Sequence, residues 1–151
     1  MSARSQARSA ARLAAVQALY QREMEATPIA RLLDEFHQHR LGREIGDEKD
    51  EQFAEAETAF FDDVVQGVAA RQEEIDALIE GRLAENWNLR RLDKTMLQIL
   101  RAGTYELLAR PDVPLGSAIS EYVDVAHAFF DPPEAKFVNG VLDGVGKAVR
   151  G

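Results

Sequence analysis

A chain of 151 residues without cysteine can bury one substantial core, but it can form neither disulfides nor thiolate-ligated metal sites. Its formal net charge of −8 argues against broad, unspecific binding to nucleic acids. The N-terminus has no uninterrupted apolar run, and no stretch approaches the roughly 20 apolar residues that a membrane helix needs. We therefore expect one soluble, cytoplasmic domain spanning residues 1–151.

The first predicted helix covers residues 1–22, which are rich in Ala, Leu, Gln and Arg. Successive side chains of a helix are rotated by about 100°, so the residues of this segment fall on two distinct faces. The apolar face holds Leu13, Val16, Tyr20 and Met24, and the basic face holds Arg4, Arg8, Arg12 and Arg22. No acidic residue precedes Glu23, so these arginines have no local ion-pair partner and can each bind a phosphate through two hydrogen bonds. The alternative is a solvated terminus without a ligand.

The distribution of charge supports a localised anion-binding surface. Residues 1–31 carry five Arg and two Glu, a net charge of +3, whereas residues 32–93 carry seven basic and 17 acidic residues, a net charge of −10. We interpret the acidic middle as solvated helical faces, because neighbouring acids such as Asp62 and Asp63 diverge by about 100° on a helix and cannot converge on a substrate.

Two helical patterns flank a segment that is predicted to be a surface loop. The first begins at Pro28, and the second covers residues 52–85. Between them, residues 40–51 combine two glycines with dense charge and little that could pack, which is typical of a loop. Trp87 is predicted to anchor the following turn, with its indole nitrogen bonded to a nearby acceptor.

Three helices are predicted to form the core of the C-terminal half. Residues 94–108 have apolar side chains over much of a helical surface, and the helix ends before Pro111. The next helix begins at Pro114, and the last begins at Pro132 with Asp131 as its cap. The sequence contains no glycine-rich phosphate loop, nucleophile elbow, zinc-binding histidine pair or strand pattern. A non-enzymatic protein without a cofactor or metal is therefore expected.

Five sequence blocks resemble the NusB family of transcription antitermination factors. They are RLAAVQALY from Arg12, LRAGTYELL from Leu100, RPDVP from Arg110, AISEYVDVAHAFF from Ala118 and KFVNGVLD from Lys136. The resemblance implies an all-α fold, a bundle of about seven helices in two packed helical subdomains. It also implies binding of the boxA element of ribosomal RNA leader transcripts together with NusE, a small-subunit ribosomal protein, in a complex with RNA polymerase that suppresses termination.

The resemblance also implies particular contacts. The residues expected near RNA are Arg4, Arg8, Arg12, Tyr20, Arg101, Lys136 and Phe137. Asp93 is the candidate for the NusE interface, and a homodimer is left open. The arginines of the first helix are spaced four apart instead of forming a continuous basic run, which predicts weaker RNA binding and greater reliance on NusE. Two alternatives remain: an accessory domain like that of RNA cytosine methyltransferases, and a purely protein-binding scaffold.

Overall fold

The computed structural model describes the backbone of residues 3–39 and 48–151 and the side chains of residues 6–38 and 57–151. Within these ranges the chain forms seven α-helices, one short 3-10 turn at Leu89–Arg91 and no strand, which confirms the predicted all-α class. The helices are α1 Ala3–Glu25, α2 Ile29–His39, α3 Glu48–Ala70, α4 Gln72–Glu80, α5 Lys94–Ala109, α6 Leu115–Phe129 and α7 Pro132–Arg150. None of those described is long and apolar enough to cross a membrane.

The chain divides into two compact units. The first, Met1–Ala69, contains α1, α2 and all but the last residue of α3, and the second, Ala70–Gly151, contains α4 to α7. The loop predicted at residues 40–51 falls mostly outside the described residues, since 40–47 are not among them. Residues 48–51 form the first turn of α3, so the helix begins earlier than the sequence predicted.

In the first unit α1 packs on α2, and the buried side chains of α1 match the predicted apolar face only in part. Val16 is fully buried as predicted, whereas Tyr20 and Met24, which were also predicted to pack, are 40% and 55% exposed. Ala11, Ala15, Ala18 and Leu19 are fully buried instead, because the prediction counted mainly large apolar side chains. Alanine lets two helix backbones approach closely, since the distance between helix axes depends on the side chains at the contact.

Two contacts connect α2 to α3 within the first unit. The Phe36 ring stacks on the Phe61 ring with centroids 5.5 Å apart. Beside this stack, Nε2 of His37 lies 2.6 Å from Oδ1 of Asp62. These contacts link α2 to α3 through one aromatic and one polar pair of side chains.

In the second unit, α5 is the central helix, as predicted. Every residue from Met96 to Leu107 is buried, and α5 packs against α4, α6 and α7. Gly103 lies where α5 meets α7, and a Cβ there would be 2.9 Å from Cδ1 of Leu142. A larger residue at this position would therefore force the Leu142 side chain to shift.

Polar side chains link the helices of the second unit. The hydroxyl of Tyr122 on α6 donates to the carboxylate of Glu106 on α5, and both residues are fully buried. At the end of α7, the guanidinium of Arg150 donates to four backbone carbonyls at and after the C-terminal end of α5. They are those of Glu106, Leu107, Arg110 and Val113, at 2.8 to 3.1 Å. Arg150 thus fixes α7 to α5 and to the turn that follows α5, because one guanidinium donates to carbonyls of both segments.

Candidate nucleic-acid interface

The arginines of α1 are held against an aromatic ring of α3. The guanidinium carbons of Arg8 and Arg12 lie 4.7 Å and 5.0 Å from the centroid of the Phe60 ring. We call Arg8, Arg12 and Phe60 the arginine cluster. Arg12 is only 3% exposed, whereas Arg8 is half-buried. The predicted arginine face is therefore not a freely solvated one, since protein contacts fix at least two of its members.

The other predicted RNA contacts on α1 have different settings. Arg4 belongs to α1, but its side chain lies outside the described residues. Tyr20 presents 40% of its surface to solvent, so its ring is open to stacking. Of the four residues predicted on α1, Arg8 and Tyr20 combine described side chains with substantial exposure. Arg12 is placed to support Arg8 instead of contacting a large ligand directly.

In the second unit, an apolar groove of about 460 Å³ brings two predicted site residues together, Asp93 and Phe137. We call it the aromatic groove. Its lining consists of Trp87, Arg91, Leu92, Asp93, Met96, Phe130, Pro133, Glu134 and Phe137. The two rings on its surface, Trp87 and Phe137, are 51% and 39% exposed. Exposed rings in a concave, mostly apolar surface can hold an unstacked base or an apolar side chain.

Trp87 was predicted to anchor a turn, and the sequence did not predict that it lines the aromatic groove. Its ring is half exposed, and the guanidinium carbon of Arg91 lies 5.3 Å from the ring centroid. Nη1 of Arg91 also donates to the carbonyl of Asn86 at 2.7 Å, which fixes the cation beside the ring. The run NWNLRR in the sequence carried the signal, because an aromatic residue next to arginines is a common nucleic-acid-binding pattern.

Asp93 is the N-terminal cap of α5. Its Oδ1 accepts hydrogen bonds from the backbone nitrogens of Thr95 and Met96 at 2.8 Å and 3.1 Å, so it caps α5. The residue is exposed and lines the aromatic groove. The proposed contact with NusE stays a prediction, and any variant of Asp93 will also weaken the start of α5.

Lys136 lies on the surface next to a second cavity, of about 580 Å³, between α6 and α7. Its lining includes His127 and Asn139 as further polar side chains. A lysine, an amide and an imidazole can together bind a phosphate group. The sequence predicted Lys136 but gave no role to His127 or Asn139. The following residue, Phe137, lines the aromatic groove, so Lys136 and Phe137 line different cavities although they are adjacent on α7.

Arg101, the remaining predicted contact, is directed into the second unit. It is 5% exposed, and its Nε and Nη2 donate to the two carboxylate oxygens of Asp76 at 2.9 Å and 3.0 Å. This bidentate pair connects α5 to α4. It favours a structural role for Arg101 over the predicted RNA contact, because a guanidinium engaged in this way must lose its partner before it can bind phosphate.

The pair yields a prediction about stability. Replacing Asp76 with Asn should lower the free energy of unfolding by about 2 kcal/mol, since it leaves the buried Arg101 charge without its carboxylate. Urea denaturation followed by circular dichroism measures the change. A matched control is Glu74→Gln, which removes the ion pair between Arg71 and Glu74. These side chains are 40% and 51% exposed, so the free energy of unfolding should change by less than about 0.5 kcal/mol. Equal losses in the two variants would show that the Arg101–Asp76 pair stabilises the protein no more than an exposed ion pair does.

The sequence model of the NusB family matches residues 9–147. The chain belongs to the NusB family. Transcription antitermination protein NusB of Novosphingobium aromaticivorans is 68% identical over 144 residues, which are 95% of each chain. The protein of the same name from Sphingopyxis alaskensis is 64% identical over 150 residues, 99% of each chain.

Solved NusB structures have the same fold. T. maritima NusB superposes with a TM-score of 0.74 at 30% identity, covering 97% of this chain and 92% of that one. A crystal structure of antitermination factors NusB and NusE in complex with double-stranded RNA superposes with a TM-score of 0.72 at 26% identity, covering 95% of this chain and 98% of that one. The NusB fold therefore extends over both units, including the acidic middle that the sequence blocks did not match.

Proposed function

We propose that this transcription antitermination factor binds the boxA element of ribosomal RNA leader transcripts together with NusE, and that the complex acts on elongating RNA polymerase. The observation that carries the proposal is the fold match to a NusB that was crystallised with NusE and RNA, over 95% of this chain. The described residues supply suitable chemistry on the same fold, namely cationic side chains beside exposed aromatic rings.

Each unit contributes both a phosphate contact and a base contact in this proposal. Arg8 in the first unit binds the phosphate backbone, and Tyr20 offers a ring to a base. In the second unit, Phe137 and Trp87 in the aromatic groove stack with bases that are not paired, while Lys136 neutralises a phosphate. RNA is recognised in this way when its bases are splayed out, with cations along the phosphates and bases on aromatic side chains.

The proposed mechanism is binding without catalysis. The chain carries a net charge of −8, and only a few exposed cations flank the rings, so its own affinity for RNA is expected to be modest. Contact with NusE, for which Asp93 is the candidate, then makes the second RNA contact effectively intramolecular. Avidity of this kind yields selective binding from two weak contacts. A factor that acts on nascent bacterial transcripts works in the cytoplasm.

An in vitro transcription assay tests this function. Polymerase is allowed to elongate through a boxA leader toward a terminator, with the chain and NusE present together, singly or not at all. We expect read-through to rise only when both proteins are present and boxA is intact. The control template carries a scrambled boxA of the same length and base composition. Equal read-through on the two templates would contradict the proposal.

A further inference from the structure

The ring of Phe60 lies against both described arginines of the arginine cluster, and nothing assigned so far explains why. Phe60 is 4% exposed. Arg8 and Arg12 are four residues apart on α1, so they lie one helical turn apart on the same side, and each guanidinium lies over the Phe60 ring. One apolar side chain of α3 therefore contacts two cations of α1.

We propose that Phe60 is a positioning residue that orders the guanidinium of Arg8 for binding RNA phosphate. This inference rests on the proposed function, in which Arg8 contacts RNA. The face of an aromatic ring attracts a cation, and the attraction increases when the cation is shielded from water, as Arg12 is at 3% exposure. The buried Arg12 fills the inner part of the cluster and leaves Arg8 at its half-buried edge.

Order before binding matters because an arginine side chain carries about 2 kcal/mol of rotamer entropy. A guanidinium that is already fixed on a ring loses less of that freedom when phosphate binds, so the affinity is higher for the same contact. Phe60 thus acts on RNA through Arg8 and does not touch RNA itself. The number of phosphates that the protein neutralises stays the same with or without the ring.

The neighbouring residue provides a matched control. Phe61 is fully buried on the same helix, but its ring stacks on Phe36 at 5.5 Å and the structure places neither arginine over it. Phe60→Leu and Phe61→Leu remove the same atoms from adjacent buried sites of α3. Only the first removes the aromatic face beneath the arginines. Phe60→Tyr keeps the aromatic face and should retain the affinity for RNA.

The experiment measures the affinity of the full chain for a boxA RNA oligonucleotide at several salt concentrations. We expect Phe60→Leu to weaken binding by about fivefold, with an unchanged slope of log affinity against log salt. Phe61→Leu and Phe60→Tyr should bind within about twofold of the unmodified protein. An Arg8→Ala variant should instead reduce the slope by about 0.7, because one phosphate contact is lost. Unchanged affinity in Phe60→Leu, or an equal loss in Phe61→Leu, would overturn the inference.

A spectroscopic readout keeps the inference testable if Phe60→Leu does not fold. In the unmodified protein, NMR should show the Nε–H signals of Arg8 and Arg12 shifted by the ring current of Phe60 relative to the exposed Arg90. Unshifted signals would contradict the proposed contact. If the unmodified protein shows the shifts but binds neither boxA nor scrambled RNA, with or without NusE, the proposed function fails. The role of Phe60 in RNA binding then fails with it, although the cluster itself is real.

Discussion

Replacing Phe137 with alanine is expected to weaken binding of boxA RNA by about ten- to hundredfold. An aromatic ring that stacks on a base contributes about 1–3 kcal/mol. Phe137 is 39% exposed on α7 and lines the aromatic groove together with Trp87, so the loss of its ring removes part of the lining. Fluorescence anisotropy with labelled boxA RNA, in the presence of NusE, measures the change.

Phe129 is a suitable control for this prediction. It is a phenylalanine of the same unit with similar exposure, 43%, and it does not line the aromatic groove. Phe129→Ala should leave the affinity within about twofold, and Phe137→Trp should retain most of it because it keeps a stacking surface. If Phe137→Ala bound RNA as tightly as the unmodified protein, the groove would not hold a base and stacking would have to come from Tyr20 alone.

Arg150→Ala should lower the free energy of unfolding of the second unit by about 3 kcal/mol. The substitution removes four charge-assisted hydrogen bonds to backbone carbonyls, and bonds from a charged donor contribute more than neutral ones, although their effects do not simply add. Those carbonyls lie at the end of α5 and in the turn before α6, so three helices lose a common contact. Thermal or urea denaturation measures the effect.

Lys147, in the same last turn of α7, is the matched control for Arg150. Its ion pair with Asp143 lies at the surface, with side chains 74% and 49% exposed, so Lys147→Ala should change stability by less than about 0.5 kcal/mol. Arg150→Lys keeps the charge but cannot reach four acceptors from one planar group, and we expect an intermediate loss. Similar losses in Arg150→Ala and Lys147→Ala would show that the four bonds add no stability beyond that of a surface contact.

The packing of α5 could be predicted from sequence, whereas that of α1 could not. On α5, large apolar residues recur at helical spacing around a glycine that lies against Leu142, so the pattern itself shows the buried surface. On α1, the buried face is built mostly of alanines, whose burial depends on how closely another helix approaches. The larger Tyr20 and Met24 were predicted to pack on the same face as Val16, but of these three only Val16 is buried.

The candidate interface likewise contains residues that could be predicted from the sequence and contacts that could not. Lys136 and Phe137 could be chosen from the family resemblance, whereas Asp93 was chosen without a residue-by-residue match, and the structure exposes all three. The pairing of Arg101 with Asp76 could not be predicted, because the two residues are 25 positions apart and meet only through the packing of α4 on α5. The ring of Phe60 beneath Arg8 is likewise a product of tertiary structure, since nothing in the spacing of α1 and α3 brings them together.

The most direct test of the account compares boxA with scrambled RNA, with and without NusE, at two salt concentrations. The unmodified chain is measured beside an Arg4→Ala, Arg8→Ala double variant that spares the buried Arg12. We predict that NusE increases the affinity for boxA RNA selectively and that the variant loses this increase. The slope of log affinity against log salt should also decrease in magnitude by about 1.4 in the variant. Equal affinity for both RNAs, or a variant with an unchanged affinity and slope, would contradict it.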